Sequence, residues 1–170
     1  MSRQTRGWLL VGVQFVLLLL LVVTPWRVSL AELSTTNPLV WIGGALILAG
    51  MAVAVAGLTH LGSALSANPV PLPAAGLRTS GVYAVVRHPI YSGILLAAIG
   101  FTLAVGSWWQ VLVTVVLTLF FTGKSRWEDA MLAEEYGTTW QAWASRTGAI
   151  VPRLWPAQPR SEANRGDTDV

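Results

Sequence analysis

Two apolar stretches constrain this fold more than any other feature: Trp8 to Val23, broken only by Gln14, and Leu39 to Leu58, which carries no charged or amide side chain. Backbone N–H and C=O groups in hydrocarbon must be satisfied within their own segment, so a single apolar stretch crosses a bilayer as a helix. At about 1.5 Å per residue the first stretch covers roughly 24 Å and the second roughly 30 Å, a short crossing and a full one. Charge points the same way. Asp, Glu, Lys and Arg make up only 11% of the residues, against about a quarter in soluble domains. The chain reads as an all-α membrane protein.

The first stretch has a rival reading as a signal peptide, with small residues at Ser29 and Ala31 as a cleavage site. Pro25, Trp26 and Arg27 look instead like an interfacial anchor, and the apolar run is long for a signal core, so a retained span over residues 8–23 is expected. Asn37-Pro38 opens the second span, residues 39–58. Its Gly43, Gly50 and Gly57 recur every seven residues and share a face on which another helix can approach closely. Thr59 to His88 follows as a loop rich in breakers, with Gly62, Pro69, Pro71, Pro73 and Gly76. Connections of that length tend to be lids or binding loops. Residues 89–105 form a third span and residues 108–122 a fourth, with Trp108 and Trp109 as anchors. The short uncharged link between these two spans makes them an antiparallel hairpin. From Gly123 the chain turns amphipathic: Leu132, Tyr136, Trp140 and Trp143 fall on one helical face, and Gly137 is expected to split that region into two helices. A single domain over 1–156 and a polar, disordered tail over 157–170 complete the expectation.

Four spans place both termini on one side. That side collects ten of the eleven Lys and Arg residues and leaves Arg27 alone on the other. The positive-inside rule then makes it cytoplasmic. A pI near 10 could also suggest nucleic acid, but the basic residues are scattered and no nucleic-acid partner is expected. The absence of Cys excludes disulfides, thiolate metal sites and cysteine nucleophiles.

This topology gathers the chain's uncommon chemistry at one end of the bundle. Tyr83, Arg87, His88 and Tyr91 precede or open the third span, Lys124, Glu128 and Asp129 follow the fourth, and His60 stands at the foot of the second. Pro89 suits the first helical turn, where its missing N–H costs nothing, and the helix N-terminus beside His88 favours an anion. Glu128 and Asp129 offer carboxylates to an amine or to ribose hydroxyls. Arg87 either touches a ligand or pairs with Glu128 or Asp129 to brace the fold.

The run Gly81-Val-Tyr-Ala-Val-Val-Arg-His-Pro-Ile-Tyr-Ser-Gly93 resembles the signature of the isoprenylcysteine carboxyl methyltransferase family. Downstream, Glu128-Asp129-Ala-Met-Leu132, Tyr136-Gly137, Trp140, Trp143 and Val151-Pro152 resemble that family's second block. The likeness covers about residues 68 to 156, and related families act on phospholipid amines and small thiols. It implies a four-helix membrane enzyme with a cytoplasmic cofactor-binding loop and S-adenosylmethionine as methyl donor. The acceptor would be a lipophilic or lipidated substrate entering from the bilayer.

Matched residue by residue, Ala75, Gly76, Leu77, Arg78, Tyr83, His88, Pro89, Ile90, Tyr91 and Glu128 would bind the donor. Lys124, Glu128 and Arg87 would serve the reaction. Lys124 stands where the family has Arg, which keeps the charge and loses the bidentate fork. Asp129 replaces a Glu, and Trp140 and Trp143 replace two Tyr. Carboxyl O-methylation is the leading expectation, with phospholipid N-methylation, thiol S-methylation and a non-enzymatic membrane scaffold or carrier as alternatives. A carboxylate acceptor needs only orientation in a dry site. An amine or thiol must also lose a proton to a base such as His88, His60 or Glu128.

Overall fold

Four helices account for nearly all the regular structure in the computed structural model, which describes residues 1–23, 37–62, 66, 70 and 76–153. Helix α1 spans Arg3–Val23, α2 Pro38–Leu61, α3 Pro89–Val105 and α4 Trp108–Ala144. No strand occurs among the described residues, and a single 3₁₀ turn covers Gly81–Ala84. Ala75, the anchor Pro25 to Arg27, the candidate cleavage site at Ser29 to Ala31 and the tail 157–170 lie outside the described residues.

Local chemistry sets the helix ends. The Ser2 hydroxyl accepts from the Thr5 N–H at 3.1 Å, which starts α1 ahead of the apolar run. The Asn37 side chain accepts from the Leu39 N–H at 3.0 Å with Pro38 in the first turn, a start that needs no other cap. Between α3 and α4, Gly106 sits at φ 67° and Ser107 caps the next helix. The two helices fold back as the short link requires, and Thr102 and Thr114 hydrogen-bond across the hairpin at 2.8 Å.

Of the glycines every seven residues in α2, Gly43 and Gly50 meet Gly100 and Gly93 on α3, and Gly57 meets Pro89 and Ile90. A Cβ on Gly43 or Gly50 would strike the carbonyl oxygen of Gly100 or Gly93, and the relation is reciprocal. Backbones in contact gain dispersion along their whole length, the main attraction open to helices in a solvent as apolar as themselves. On the other side, α1 runs antiparallel to α4. Gly7, Leu10, Val11, Gln14, Leu17, Leu18 and Leu21 form its inward stripe, and Trp109 Nε1 donates to Leu20 O at 3.3 Å. The core joins Leu21, Leu95, Ala98, Val113, Leu117 and Phe121.

Only 11% of the apolar window of α1, and the same share of that of α2, is buried within the protein. Trp8, Phe15, Leu19, Trp41, Leu48 and Met51 face outward. Apolar surface on that scale is untenable in water and natural in lipid. This is a membrane protein.

The fourth helix carries on past its apolar half. There is no break near Thr122; the helical backbone runs on through the amphipathic segment, and a second helical piece follows Gly137 to Ala144. No proline interrupts it, and Gly123, which has open space around its α-carbon, is absorbed at modest cost. The expected break at Gly137 is present as a kink, with φ 52° and ψ −124°. Beyond Ala144 the chain returns to α3 as a parallel bridge between Val86 and Gly148, an element the hydropathy pattern does not announce.

Candidate active site

The bridge at Val86 positions the two residues that follow it. Arg87 N–H donates to Gly148 O at 2.8 Å and His88 N–H to Ala149 O at 2.9 Å, so the backbone stays extended until Pro89 starts α3. Ser92 Oγ adds a bond to Ile150 O at 2.5 Å. Both side chains of the Arg-His pair then point at α4, where Lys124, Ser125, Glu128 and Asp129 occupy successive inward positions and are all buried.

Arg87 spends its guanidinium on the protein. Nε and Nη2 donate to Asp129 at 3.2 and 2.8 Å, while Nη1 donates to Ala144 O at 3.2 Å and Thr147 O at 2.5 Å. The guanidinium also lies over the Trp140 ring at 5.7 Å. His88 stands between two carboxylates, with Nε2 at 3.0 Å from Asp129 Oδ1 and Nδ1 at 3.3 Å from Glu128 Oε2. A neutral imidazole has one N–H to give, so this geometry favours the imidazolium. Burial alone would lower the His88 pKa, but the bonds to Asp129 and Glu128 raise it above its ordinary value. For Asp129, burial is likewise outweighed by the bonds from His88 and Arg87, which bring its pKa below the usual carboxylate range.

Tyr91, on the first turn of α3, donates to Glu128 Oε1 at 2.5 Å and stacks between His88 and Phe121. Lys124 Nζ reaches α1, donating to Gln14 Oε1 at 2.7 Å, and lies 4.9 Å from the centre of the Tyr91 ring. Tyr83 is 6% exposed. Its hydroxyl donates to Gly57 O at 3.3 Å, and its carbonyl accepts from Trp143 Nε1 at 3.0 Å. Burial first, and the Glu128 charge second, push its pKa up to about 12.

The structure therefore brings Arg87, His88, Tyr91, Lys124 and Glu128 into one cluster, with Pro89 buried beneath it and Tyr83 at its edge. Ile90 packs toward Gly57 on α2. Gly76 and Arg78 are exposed and Leu77 half-buried, and among the described residues no hydrogen bond or ion pair ties them to the cluster. His60 lies apart: its ring fills the space where a Cβ on Gly81 would sit, and Nδ1 is 2.8 Å from Ala56 O. An open groove of about 420 Å³ lined by Thr79, Ala84, Trp143, Arg146 and Thr147 meets the cluster through Trp143 and Thr147. Gln14 and the Thr147–Ile150 return went unpredicted as parts of the site. A lone amide in an apolar span was the available signal for Gln14.

The profile of the phospholipid methyltransferase family matches residues 38–139, the stretch from the N-terminus of α2 to just past the kink in α4. The chain belongs to the phospholipid methyltransferase family. Among the curated members it resembles is the protein-S-isoprenylcysteine O-methyltransferase of Schizosaccharomyces pombe (strain 972 / ATCC 24843), 31% identical over 79 residues. That alignment covers 46% of this chain and 34% of the yeast protein, so the chain spans about a third of that relative's length. Within this phospholipid methyltransferase family member, the matched stretch holds Tyr83, Arg87, His88, Tyr91, Lys124, Glu128 and Asp129, while Gln14 comes from α1 and Trp140, Trp143 and the Thr147–Ile150 return lie beyond it.

Proposed function

We propose that the protein is an integral-membrane methyltransferase using S-adenosylmethionine, and that its acceptor is a lipophilic carboxylate of the isoprenylcysteine type. The observation that carries the choice of acceptor is His88 fixed between Asp129 and Glu128. An imidazolium already donating from both nitrogens is no general base, and both Glu128 oxygens are engaged by Tyr91 and His88. A carboxylate acceptor arrives deprotonated near pH 7 and asks for no base. A phospholipid amine is the second reading, favoured by the description of the matching family.

The residues fit the donor by their chemistry. Exposed Arg78 and Arg146 suit a carboxylate, the aromatic face of Trp143 in the groove suits an adenine or a sulfonium, and Glu128 suits ribose hydroxyls or an ammonium. The donor would supply an electrophilic methyl group. Segment Gly76–Tyr83 with Pro89, Ile90 and Tyr91 would hold it, Lys124 would face the acceptor, and Arg87 would brace the walls. Closing such a site against water strengthens each of these interactions.

Four crossings, with both termini and the cluster on the cytoplasmic side, complete the proposal, supported by the ten-to-one partition of basic residues. Calorimetry with S-adenosylhomocysteine, followed by labelled-methyl transfer to N-acetyl-S-farnesylcysteine and to phosphatidylethanolamine, tests it. Donor-analogue binding with transfer to the prenylcysteine is the expected result. Transfer to the amine alone would replace the acceptor, and no binding of the donor analogue would sink the enzyme reading.

A further inference from the structure

The cluster is unevenly charged. Arg87 pairs with Asp129, and His88 with Asp129 and Glu128, which spends both carboxylates on two cations. Lys124 is the third cation, only 4% exposed, and no carboxylate lies within ion-pair distance of it among the described residues. Its direct contacts are neutral, the Gln14 amide oxygen at 2.7 Å and the face of Tyr91 at 4.9 Å, and the charge of Glu128, committed to His88, reaches it only from beyond ion-pair distance. A buried ammonium with no carboxylate in contact is costly, and an anionic group brought beside it would balance the cluster.

Gln14 explains how this state is held. It is the one amide in the α1 apolar run, and it falls on the inward stripe with Val11, Leu17 and Leu18. A glutamine accepts a hydrogen bond from the ammonium without cancelling its charge, whereas a glutamate at the same position would close an ion pair. The contact lies in the α1–α4 seam, and among the described residues no hydrogen bond or ion pair ties it to the Gly76–Tyr83 segment.

We infer that Gln14 is a positioning residue: it anchors the Lys124 ammonium between α1 and α4 while leaving it without a direct ion pair, reserved for the anionic group of a lipophilic acceptor. This rests on the methyl-transfer reading for the word acceptor, and on the geometry alone for the anion subsite. The anion is a carboxylate or a phosphate carried on a hydrophobic chain.

The test uses the full chain in nanodiscs and two matched pairs of probes, N-acetyl-S-farnesylcysteine against its methyl ester and dioleoylphosphatidic acid against dioleoylglycerol. In the wild type at least one anionic probe binds ten-fold or more tightly than its neutral counterpart, and the pair that shows the preference identifies carboxylate or phosphate. Gln14→Glu abolishes that preference and leaves S-adenosylhomocysteine affinity within two-fold. Lys124→Met, which deletes the ammonium without adding charge, gives the same loss and stands in should Gln14→Glu fail to insert. The double swap Gln14→Lys/Lys124→Gln restores the preference, which a merely structural role for Gln14 would not do.

A preference that survives Gln14→Glu, or no preference in the wild type, overturns the inference. Equal weakening of S-adenosylhomocysteine overturns it too, by giving Lys124 to the donor's carboxylate. An intact anion preference in a protein that binds no S-adenosylhomocysteine overturns the methyl-transfer reading instead and leaves the subsite standing.

Discussion

Asp129 serves two cations at once, and this makes it the most sensitive residue of the cluster. Replacing it with Asn leaves Arg87 and His88 facing a neutral amide in a buried site. Breaking one side of a buried ion pair costs about 3–5 kcal/mol, so Asp129→Asn is expected to lower the unfolding temperature markedly in detergent, read by circular dichroism. The pH dependence follows from the same contacts. His88 has a raised pKa, so its contribution is complete below about 6.5, the ordinary value, and is lost as pH rises through the folded-state pKa. Asp129 has a lowered pKa, so its contribution is present above the ordinary carboxylate range and is lost as pH falls through the depressed value. Stability should be flat between these limits, and His88→Gln should remove the loss on the alkaline side while the acid limb persists. From sequence, Arg87 could be given either a ligand or a carboxylate. Spacing cannot decide that choice, because it depends on how α4 turns Asp129 rather than Glu128 toward the guanidinium.

The α2–α3 pair was legible from sequence as elements, and the partner of its glycine face was not. The seven-residue repeat Gly43, Gly50, Gly57 predicts close approach by some helix. That the approaching helix is α3, in the register that sets Gly50 on Gly93, follows from an antiparallel arrangement that hydropathy does not encode. Gly50→Ala or Gly93→Ala forces methyl against backbone and should destabilise the pair by about 1–3 kcal/mol, whereas Gly12→Ala and Gly44→Ala, whose added Cβ meets nothing within 4 Å, should not. Thermal unfolding of the four variants side by side checks the contrast. The Thr147–Ile150 return was invisible for a different reason: its contacts are backbone hydrogen bonds, which leave no side-chain pattern. The kink at Gly137 was readable because φ 52° and ψ −124° suit glycine almost alone.

At the scale of the whole molecule, the proposed topology can be checked chemically because the chain contains no Cys. Single substitutions Ser107→Cys and Ser145→Cys stand at opposite ends of α4. In sealed, oriented vesicles an impermeant maleimide applied from outside should label the first and spare the second, and the reverse would invert the orientation. The membrane class was legible from sequence because apolar runs are a property of composition. The amphipathic continuation of the fourth helix past Thr122 and its break at Gly137 were legible too, the first from the Leu132, Tyr136, Trp140 and Trp143 spacing and the second from the glycine. One further consequence attaches to the stretch of α4 that precedes its kink. From Trp108, 87% exposed at its N-terminal end, to Lys124 is about 24 Å along the axis, and to Asp129 about 31 Å, close to the thickness of a bilayer's hydrocarbon. A rigid rod anchored at one face works as a ruler. The thickness of the surrounding membrane would then set how deeply the polar cluster sits in oil or in water, so lipid chain length alone should tune the proposed methyl transfer at constant protein and substrate.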